Sequence, residues 1–258
     1  MWQYGIVPDR VVALGASNLT RGFQTVVSAS RAAWGPGVEV ISALGHGRSY
    51  GTQSFFLARR LPGILQSGIW ERLEQLPRRT TRGLITDVGN DILYGFPVWQ
   101  VLAWVEETVE RLRRTTEDIV LTGLPIAGIR RLSPTKYLAV RSILVPRCRL
   151  PLATVRERAE LVEAGLSAIA RTRGLIFLPL REEWYGFDPV HMKPAQWGPA
   201  WREILAGGSG ALPAGESPWR EGVRLYLMRP ERRRFLGREQ FTSQDGVVLP
   251  RGGKVWLY

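Results

Sequence analysis

An acid and a histidine lie three residues apart in DPVHMK (188–193), near the end of an alternating α/β pattern. His191 is one of two histidines in the chain, the other being His46. A carboxylate at the position of Asp188, in a turn stiffened by proline, can hold the Nδ1–H of the His191 ring and leave Nε2 free as a base. The alternative is a loop that happens to contain a histidine. A base of this kind needs a nucleophile elsewhere in the chain.

The candidate nucleophile follows the first strand-like run. RVVALG (10–15) is short and rich in β-branched residues, and a helical stretch follows it, so Ser17 lies at the turn into a helix. Its hydroxyl would lie beside the free backbone N–H groups of the helix start, which favour an anion. The structural alternative is that Ser17 or Asn18 only caps the helix, since serine and asparagine are good capping residues.

The elements that would position these groups are buried apolar strands alternating with amphipathic helices. This alternation predicts an α/β fold with a doubly wound parallel sheet of five strands. The carboxyl ends of parallel strands lie at one edge of a sheet, and ligands bind there. The five predicted strands lie within 10–15, 38–44, 83–89, 118–125 and 174–180.

Two further loops start at this edge. GHGRSYG (45–51) follows the second strand, and its glycines either let the backbone approach a ligand or simply make a turn. Asn90 in GNDILYG follows the third strand, where its side-chain amide could point along the same edge. Its structural alternative is an Asx turn with Asp91. We expect the segment 126–150, which contains a short extra helix, and the loop 48–56 to shape the pocket.

The order of these blocks resembles that of the SGNH (GDSL-type) hydrolase family over about residues 10–206. The resemblance implies a flavodoxin-like three-layer α/β/α sandwich, with a small C-terminal β-rich tail added in this chain. It also implies a catalytic triad and an oxyanion hole. The roles carried over are nucleophile for Ser17, base for His191, orienting acid for Asp188, and oxyanion donors for Ser17, Gly45 and Asn90, with Gly47 as the alternative glycine.

Two positions depart from the family pattern. The first block usually reads Gly-Asp-Ser, and here Ala16 stands in place of the aspartate. The missing acid is not the triad acid, so activity need not be lost. The proline that usually follows the family's histidine is Met192 here. Neither change removes a catalytic atom.

The reaction implied is hydrolysis of a carboxylic ester through an acyl-enzyme on Ser17, with no cofactor and no metal. The substrate would be a small-molecule, lipid or carbohydrate ester. The main alternative is a catalytically inactive SGNH-fold binding module with a basic surface. A nucleotide-binding protein ranks last, because the glycines form neither GxGxxG nor a phosphate loop.

The chain is strongly basic, with 35 Lys and Arg against 23 Asp and Glu and a net charge of +12. Such a charge can attract nucleic acid. The arginines are scattered, however, so we favour compositional bias and expect no nucleic-acid partner. The single cysteine, Cys148, excludes an intramolecular disulfide and CxxC metal sites.

The domain prediction is an SGNH-like α/β domain over 1–206, a Gly/Ser/Pro-rich linker over 207–218 and a β-rich extension over 219–258. Alternation in VRLYLM (223–228) and the Gly-Gly turn in VVLPRGGKVWLY predict the strands of this extension, through which the chain could form a homo-oligomer. The N-terminus lacks an export signal and no run of about 18 apolar residues occurs, which predicts a cytoplasmic protein without a membrane span.

Overall fold

The computed structural model describes residues 7–145, 148–216, 218–250 and 252–258. The strands, in chain order, are β1 (Arg10–Leu14), β2 (Glu39–Ala43), β3 (Ser54–Phe56), β4 (Arg59–Leu61), β5 (Thr81–Ile85), β6 (Ile119–Thr122), β7 (Ile176–Leu178), β8 (Arg232–Phe235), β9 (Arg238–Phe241), β10 (Val247–Val248) and β11 (Lys254–Leu257). The α-helices are α1 (Ser17–Trp34), α2 (Ile69–Gln75), α3 (Asn90–Leu93), α4 (Val98–Arg113), α5 (Ile126–Arg131), α6 (Pro134–Leu144), α7 (Leu152–Arg173), α8 (Trp197–Leu205) and α9 (Trp219–Leu227). Short 3₁₀ turns lie at Ile64–Gln66, Glu182–Trp184 and Pro194–Gln196.

The central sheet has, among the described residues, seven strands in the order β10-β11-β2-β1-β5-β6-β7. All neighbours pair in parallel except β10 and β11. The five predicted strands are its β1, β2, β5, β6 and β7, and the sheet gains two more strands from the C-terminal segment. The ends of β1, β2 and β5 therefore lie side by side at the carboxyl edge.

Helices cover both faces of this sheet, which gives three layers. Successive strand residues point to opposite faces, so Val11 packs in one core cluster with α1 and α8 and Val12 in the other with α4 and α7. Close packing of α1 on α8 depends on Gly22, because a Cβ there would lie 1.8 Å from Nε1 of the fully buried Trp201. The predicted α/β/α architecture is confirmed.

The strand predicted over 223–228 is wrong, because these residues lie in and at the end of α9. The buried residues of this helix are Glu221 and Leu225, one helical turn apart, whereas Val223 and Leu227 are exposed. The apparent alternation counted two residues that face solvent. The helix packs on α1, where Glu221 forms an ion pair with Arg31 at 3.1 Å.

The rest of the C-terminal segment is β-rich, as predicted. Strand β11 extends the central sheet beside β2, with Trp256 opposite Ile41, and the backbone N–H of Tyr258 donates to the carbonyl of Ser42 at 2.8 Å. The β8–β9 hairpin completes a small antiparallel sheet in the order β3-β4-β8-β9. The domain boundaries and the self-association through this segment stay predictions.

Within the described ranges, none of the helices has both the length and the apolar composition that crossing a membrane requires.

Candidate active site

The loop after β7 folds into a turn that is built by its own acid. One carboxylate oxygen of Asp188 accepts hydrogen bonds from the backbone N–H groups of Val190 at 2.9 Å and His191 at 3.2 Å. The other oxygen lies 2.6 Å from Nδ1 of His191. The three-residue spacing thus lets a single carboxylate fix both the turn and the imidazole. This contact assigns the proton on Nδ1 and leaves Nε2 as the acceptor.

The imidazole faces the serine at the start of α1. Nε2 of His191 lies 3.0 Å from Oγ of Ser17, although the two residues are 174 positions apart in the sequence. Both side chains are buried, with 6% of Ser17 and 7% of His191 exposed. Asp188, His191 and Ser17 therefore form one hydrogen-bonded chain. A hydroxyl activated by a base and an orienting acid can attack a carbonyl carbon.

The electrostatics of this chain favour an ionised acid. Burial by itself raises the pKa of Asp188, but hydrogen bonds from the His191 ring and from the backbone N–H groups of Val190 and His191 act in the opposite direction. These hydrogen bonds dominate, and the pKa of Asp188 lies below its usual value. A carboxylate stabilises the imidazolium that forms when His191 takes up a proton.

Asn18 holds the histidine loop against α1. Its Nδ2 donates to the carbonyl oxygen of Val190 at 3.0 Å, and its Oδ1 accepts from the backbone N–H of Met192 at 2.9 Å. The residues on both sides of His191 are thereby fixed to the residue that follows Ser17. No side chain of α1 itself caps this helix in the described structure. The alternative that Ser17 or Asn18 serves only as a cap is therefore wrong.

The cap comes from Asp87, two residues after β5. Oδ2 of Asp87 accepts from the backbone N–H groups of Ala16 and Leu19, both at 3.0 Å, and Oδ1 accepts from Nδ2 of Asn18 at 2.9 Å. Asp87 has a φ of 59°, a left-handed conformation that Asp and Asn adopt more readily than most residues. Sequence reasoning missed this residue, although an acid near the carboxyl end of the third predicted strand was a readable signal.

The oxyanion candidates lie on neighbouring strand ends. Asn90 lines the same pocket as Ser17, and its Nδ2 donates to the carbonyl of Arg48 at 3.2 Å. This bond uses the side-chain N–H and not Oδ1, which an Asx turn would use as its acceptor. In the described part of the chain, the backbone N–H groups of Ser17, Gly45 and Gly47 donate no hydrogen bond. Such free donors are what an oxyanion hole requires.

Solved protein structures share this architecture. One chain is 16% identical to this one with a TM-score of 0.50, over 78% of this chain and 96% of that chain. TesA is 15% identical with a TM-score of 0.47, covering 78% and 98% of the respective chains. The psychrotrophic esterase EstA from Pseudoalteromonas sp., solved inhibited by monoethylphosphonate, is 14% identical with a TM-score of 0.43, covering 78% and 96%. The chain shares its fold with the first of these structures. No protein-family model and no curated protein matches the sequence.

A hydrogen-bond network joins the loop after β2 to the loop after β5. Asp91 is fully buried and accepts from Oγ of Ser49 and, at 2.9 Å, from the backbone N–H of Tyr50. Burial raises the pKa of Asp91 to about 6, although these two hydrogen bonds act to lower it. The hydroxyl of Tyr50 in turn lies 3.1 Å from the carbonyl of Leu14 and 2.6 Å from that of Thr86. Three strand ends are thus fixed together.

The second histidine takes no part in the hydrogen-bonded chain. The ring of His46 packs on Phe56, with the ring centroids 5.0 Å apart. Burial, and to a smaller extent the charges of Arg59, Arg21 and His191, together lower its pKa to about 4. His46 is therefore neutral near pH 7.

A largely apolar pocket opens beside Ser17. Part of its wall comes from the segment 126–150, as predicted within its described part, through Ile129, Leu132, Tyr137, Arg141 and Val145. The predicted contribution of the loop 48–56 is wrong for this pocket, whose described lining does not include that loop. The apolar lining includes Ile92, Leu93, Leu124, Pro125, Ile129, Leu132, Tyr137, Val145, Val155, Ala159, Leu180 and Tyr185.

Histidine, cysteine and carboxylate side chains form no group of three or more suited to a metal ion within the described residues.

Proposed function

We propose that this chain is a serine hydrolase that cleaves a carboxylic ester through an acyl-enzyme on Ser17. The observation that supports this most directly is the hydrogen-bonded chain from Asp188 through His191 to Ser17, with distances of 2.6 and 3.0 Å. A serine hydroxyl is a weak nucleophile at neutral pH unless a base takes its proton. Here the base is within hydrogen-bond distance, and its other nitrogen contacts an acid.

In the proposed reaction, Nε2 of His191 takes the hydroxyl proton while Oγ of Ser17 bonds to the ester carbonyl carbon. The negative charge that develops on the carbonyl oxygen is held by the N–H of Ser17, the N–H of Gly45 and the side-chain amide of Asn90. Loss of one such donor costs about 100- to 1000-fold in kcat. Collapse of the intermediate expels the alcohol, which takes the proton from His191. A water molecule then attacks the acyl carbon while Nε2 of His191 takes its proton. The bond from this carbon to Oγ of Ser17 breaks, His191 returns the proton to Oγ, and the carboxylic acid leaves.

The pocket supports an ester with an apolar acyl group. Its walls are aliphatic and aromatic over most of their surface, and Ser17 and Asn90 lie among them. Burial of each methylene of an acyl chain in such a pocket contributes about 0.8 kcal/mol. We therefore expect activity to rise with acyl length until the pocket is filled.

Hydrolysis of p-nitrophenyl acetate, butyrate and longer esters by wild type and Ser17→Ala tests the proposal. Wild type should turn over these esters and be labelled at Ser17 by a fluorophosphonate probe, whereas Ser17→Ala should lose both activities. Ser243→Ala is the matched control, because this exposed serine lies far along the chain in the C-terminal segment. A folded wild type that neither turns over an ester nor reacts with the probe would favour the inactive binding module.

A further inference from the structure

Arg59 on β4 has a buried guanidinium atom without a partner. Its Nη2 has no access to solvent and donates no hydrogen bond to the described residues. This atom lies beside the proposed oxyanion loop, 3.6 Å from the point that a Cβ on Gly45 would occupy. Buried N–H donors are almost always paired in native proteins, so an orphan donor here points to a ligand.

The charge of Arg59 is also uncompensated. Within the described part of the chain it forms no ion pair, and its charged neighbours include two further arginines, Arg233 and Arg48. Burial lowers the pKa of Arg59, and the charge of Arg233 lowers it further, while the phenol of Tyr226 acts in the opposite direction. A guanidinium stays protonated at neutral pH, so it remains charged in this site. A buried charge is costly unless an opposite charge joins it.

Arg59 lies beside Gly45 and outside the apolar pocket that opens beside Ser17. The charges of Arg59 and His191 both act on His46, which places Arg59 within electrostatic reach of the catalytic groups. Neither Gly45 nor Arg59 is among the described residues that line the apolar pocket. A substrate that fills both regions would carry an apolar chain on one side of its ester bond and a negative charge on the other.

We propose that Arg59 binds an anionic group, a phosphate or carboxylate, on the alcohol side of the scissile ester. This inference rests on the proposed function and names its substrate class: an acyl ester of an anionic alcohol. Guanidinium groups pair with phosphate and carboxylate oxygens through charge-assisted hydrogen bonds, and Nη2 of Arg59 is free to donate one. The net charge of +12 would steer such a substrate toward the protein.

The test compares 1-octanoylglycerol 3-phosphate with neutral 1-octanoylglycerol as substrates. Arg59→Gln keeps length and polarity but removes the charge, and it should lower the ratio of kcat/KM for the phosphate ester to that for the neutral ester at least tenfold. Arg60→Gln is the matched control, because Arg60 is the next residue on the same strand and packs its guanidinium 4.1 Å from the Phe55 ring centroid. Its ratio should stay at the wild-type value. A ratio unchanged by Arg59→Gln, or lowered equally by Arg60→Gln, overturns the proposal.

A binding experiment separates this inference from the proposed hydrolase activity. Glycerol 3-phosphate should raise the Tm of wild type and of Ser17→Ala but not that of Arg59→Gln. If wild type hydrolyses neither ester and this Tm pattern is observed, the anion site stands and the hydrolase proposal fails. If both esters are hydrolysed and glycerol 3-phosphate raises every Tm equally or none, the anion site fails and the hydrolase proposal stands.

Discussion

The carboxylate of Asp87 accepts a hydrogen bond from the backbone N–H of Ala16 at 3.0 Å. Position 16 is where the SGNH pattern usually has its own aspartate, and the alanine here is fully buried. An acid delivered from the end of β5 thus lies at the start of α1, where the helix itself lacks one. Because the same carboxylate binds the side chain of Asn18 at 2.9 Å, it also connects the serine turn to the histidine loop.

We expect Asp87→Asn to impair catalysis by loosening the turn that carries Ser17. An amide in place of the carboxylate has one oxygen for three donors, so at least one donor loses its partner. Loss of a buried partner costs about 1–3 kcal/mol in the free energy of unfolding. We expect kcat to fall about 10- to 100-fold with a smaller change in KM, since the turn positions the nucleophile.

Steady-state kinetics and urea unfolding measure both effects. Asparagine also tolerates the left-handed φ of this position, so backbone strain cannot account for the loss. The control is Asp9→Asn, at an exposed aspartate before β1. A variant with wild-type kcat would remove Asp87 from the positioning of Ser17.

The side chain of Asn18 gives a second prediction. Asn18→Ala removes the hydrogen bonds to the carbonyl of Val190 and from the N–H of Met192, together with the bond to Asp87. At about 1 kcal/mol for each bond, the free energy of unfolding should fall by about 2–3 kcal/mol. His191 would then lie less often within reach of Ser17, so kcat should fall while KM changes little.

The rate of labelling of Ser17 by a fluorophosphonate separates this role from simple destabilisation. The rate should fall in Asn18→Ala at a temperature where the variant is fully folded by circular dichroism. A labelling rate equal to that of wild type would show that the histidine loop keeps its place without Asn18.

The sequence allowed the five parallel strands and the Asp188–His191–Ser17 chain to be predicted, because strand order and a short Asp-x-x-His spacing are local signals. The roles of Asn18 and Asp87 were not predicted, since their partners lie 68 to 174 positions away and depend on how the loops meet. Helix α9 was misread for another reason. Over residues 223–228, the exposed Val223 and Leu227 give the apolar alternation expected of a strand. The packing of these residues on α1 as a helix is not visible in so short a pattern.

The pocket wall gives a third prediction, on substrate length. Ala159 on α7 lines the pocket and is 1% exposed. Ala159→Leu adds three carbons to the wall, so long acyl chains should lose space that acetate does not use. The ratio of kcat/KM for p-nitrophenyl octanoate to that for the acetate should fall about tenfold or more, since each excluded methylene is worth about 0.8 kcal/mol.

Ala164→Leu is the matched control, because Ala164 lies on the same helix but is exposed. It should leave the chain-length profile as in wild type. A profile that Ala159→Leu leaves unchanged would mean that the acyl chain lies outside this pocket.

The buried carboxyl of Asp91 predicts how stability changes with pH. Burial raises its pKa from 3.8 to about 6 in the folded chain. Between pH 4 and 6 the folded state therefore holds a proton that the unfolded state has released. The contribution of Asp91 to the free energy of unfolding is fully present below pH 4. It decreases by at most about 3 kcal/mol as the pH rises to 6. Above pH 6 its contribution is constant.

Asp91→Asn should remove this dependence, because an amide does not titrate. We expect the free energy of unfolding of wild type, minus that of the variant, to decrease from pH 4 to pH 7 in urea titrations. Asp188, whose pKa is lowered, acts in the opposite direction below its usual pKa, but it is present in both proteins and cancels in the difference. Asp245→Asn, at an exposed aspartate, supplies the control. A difference independent of pH would mean that the hydrogen bonds from Ser49 and Tyr50 outweigh burial and keep Asp91 ionised.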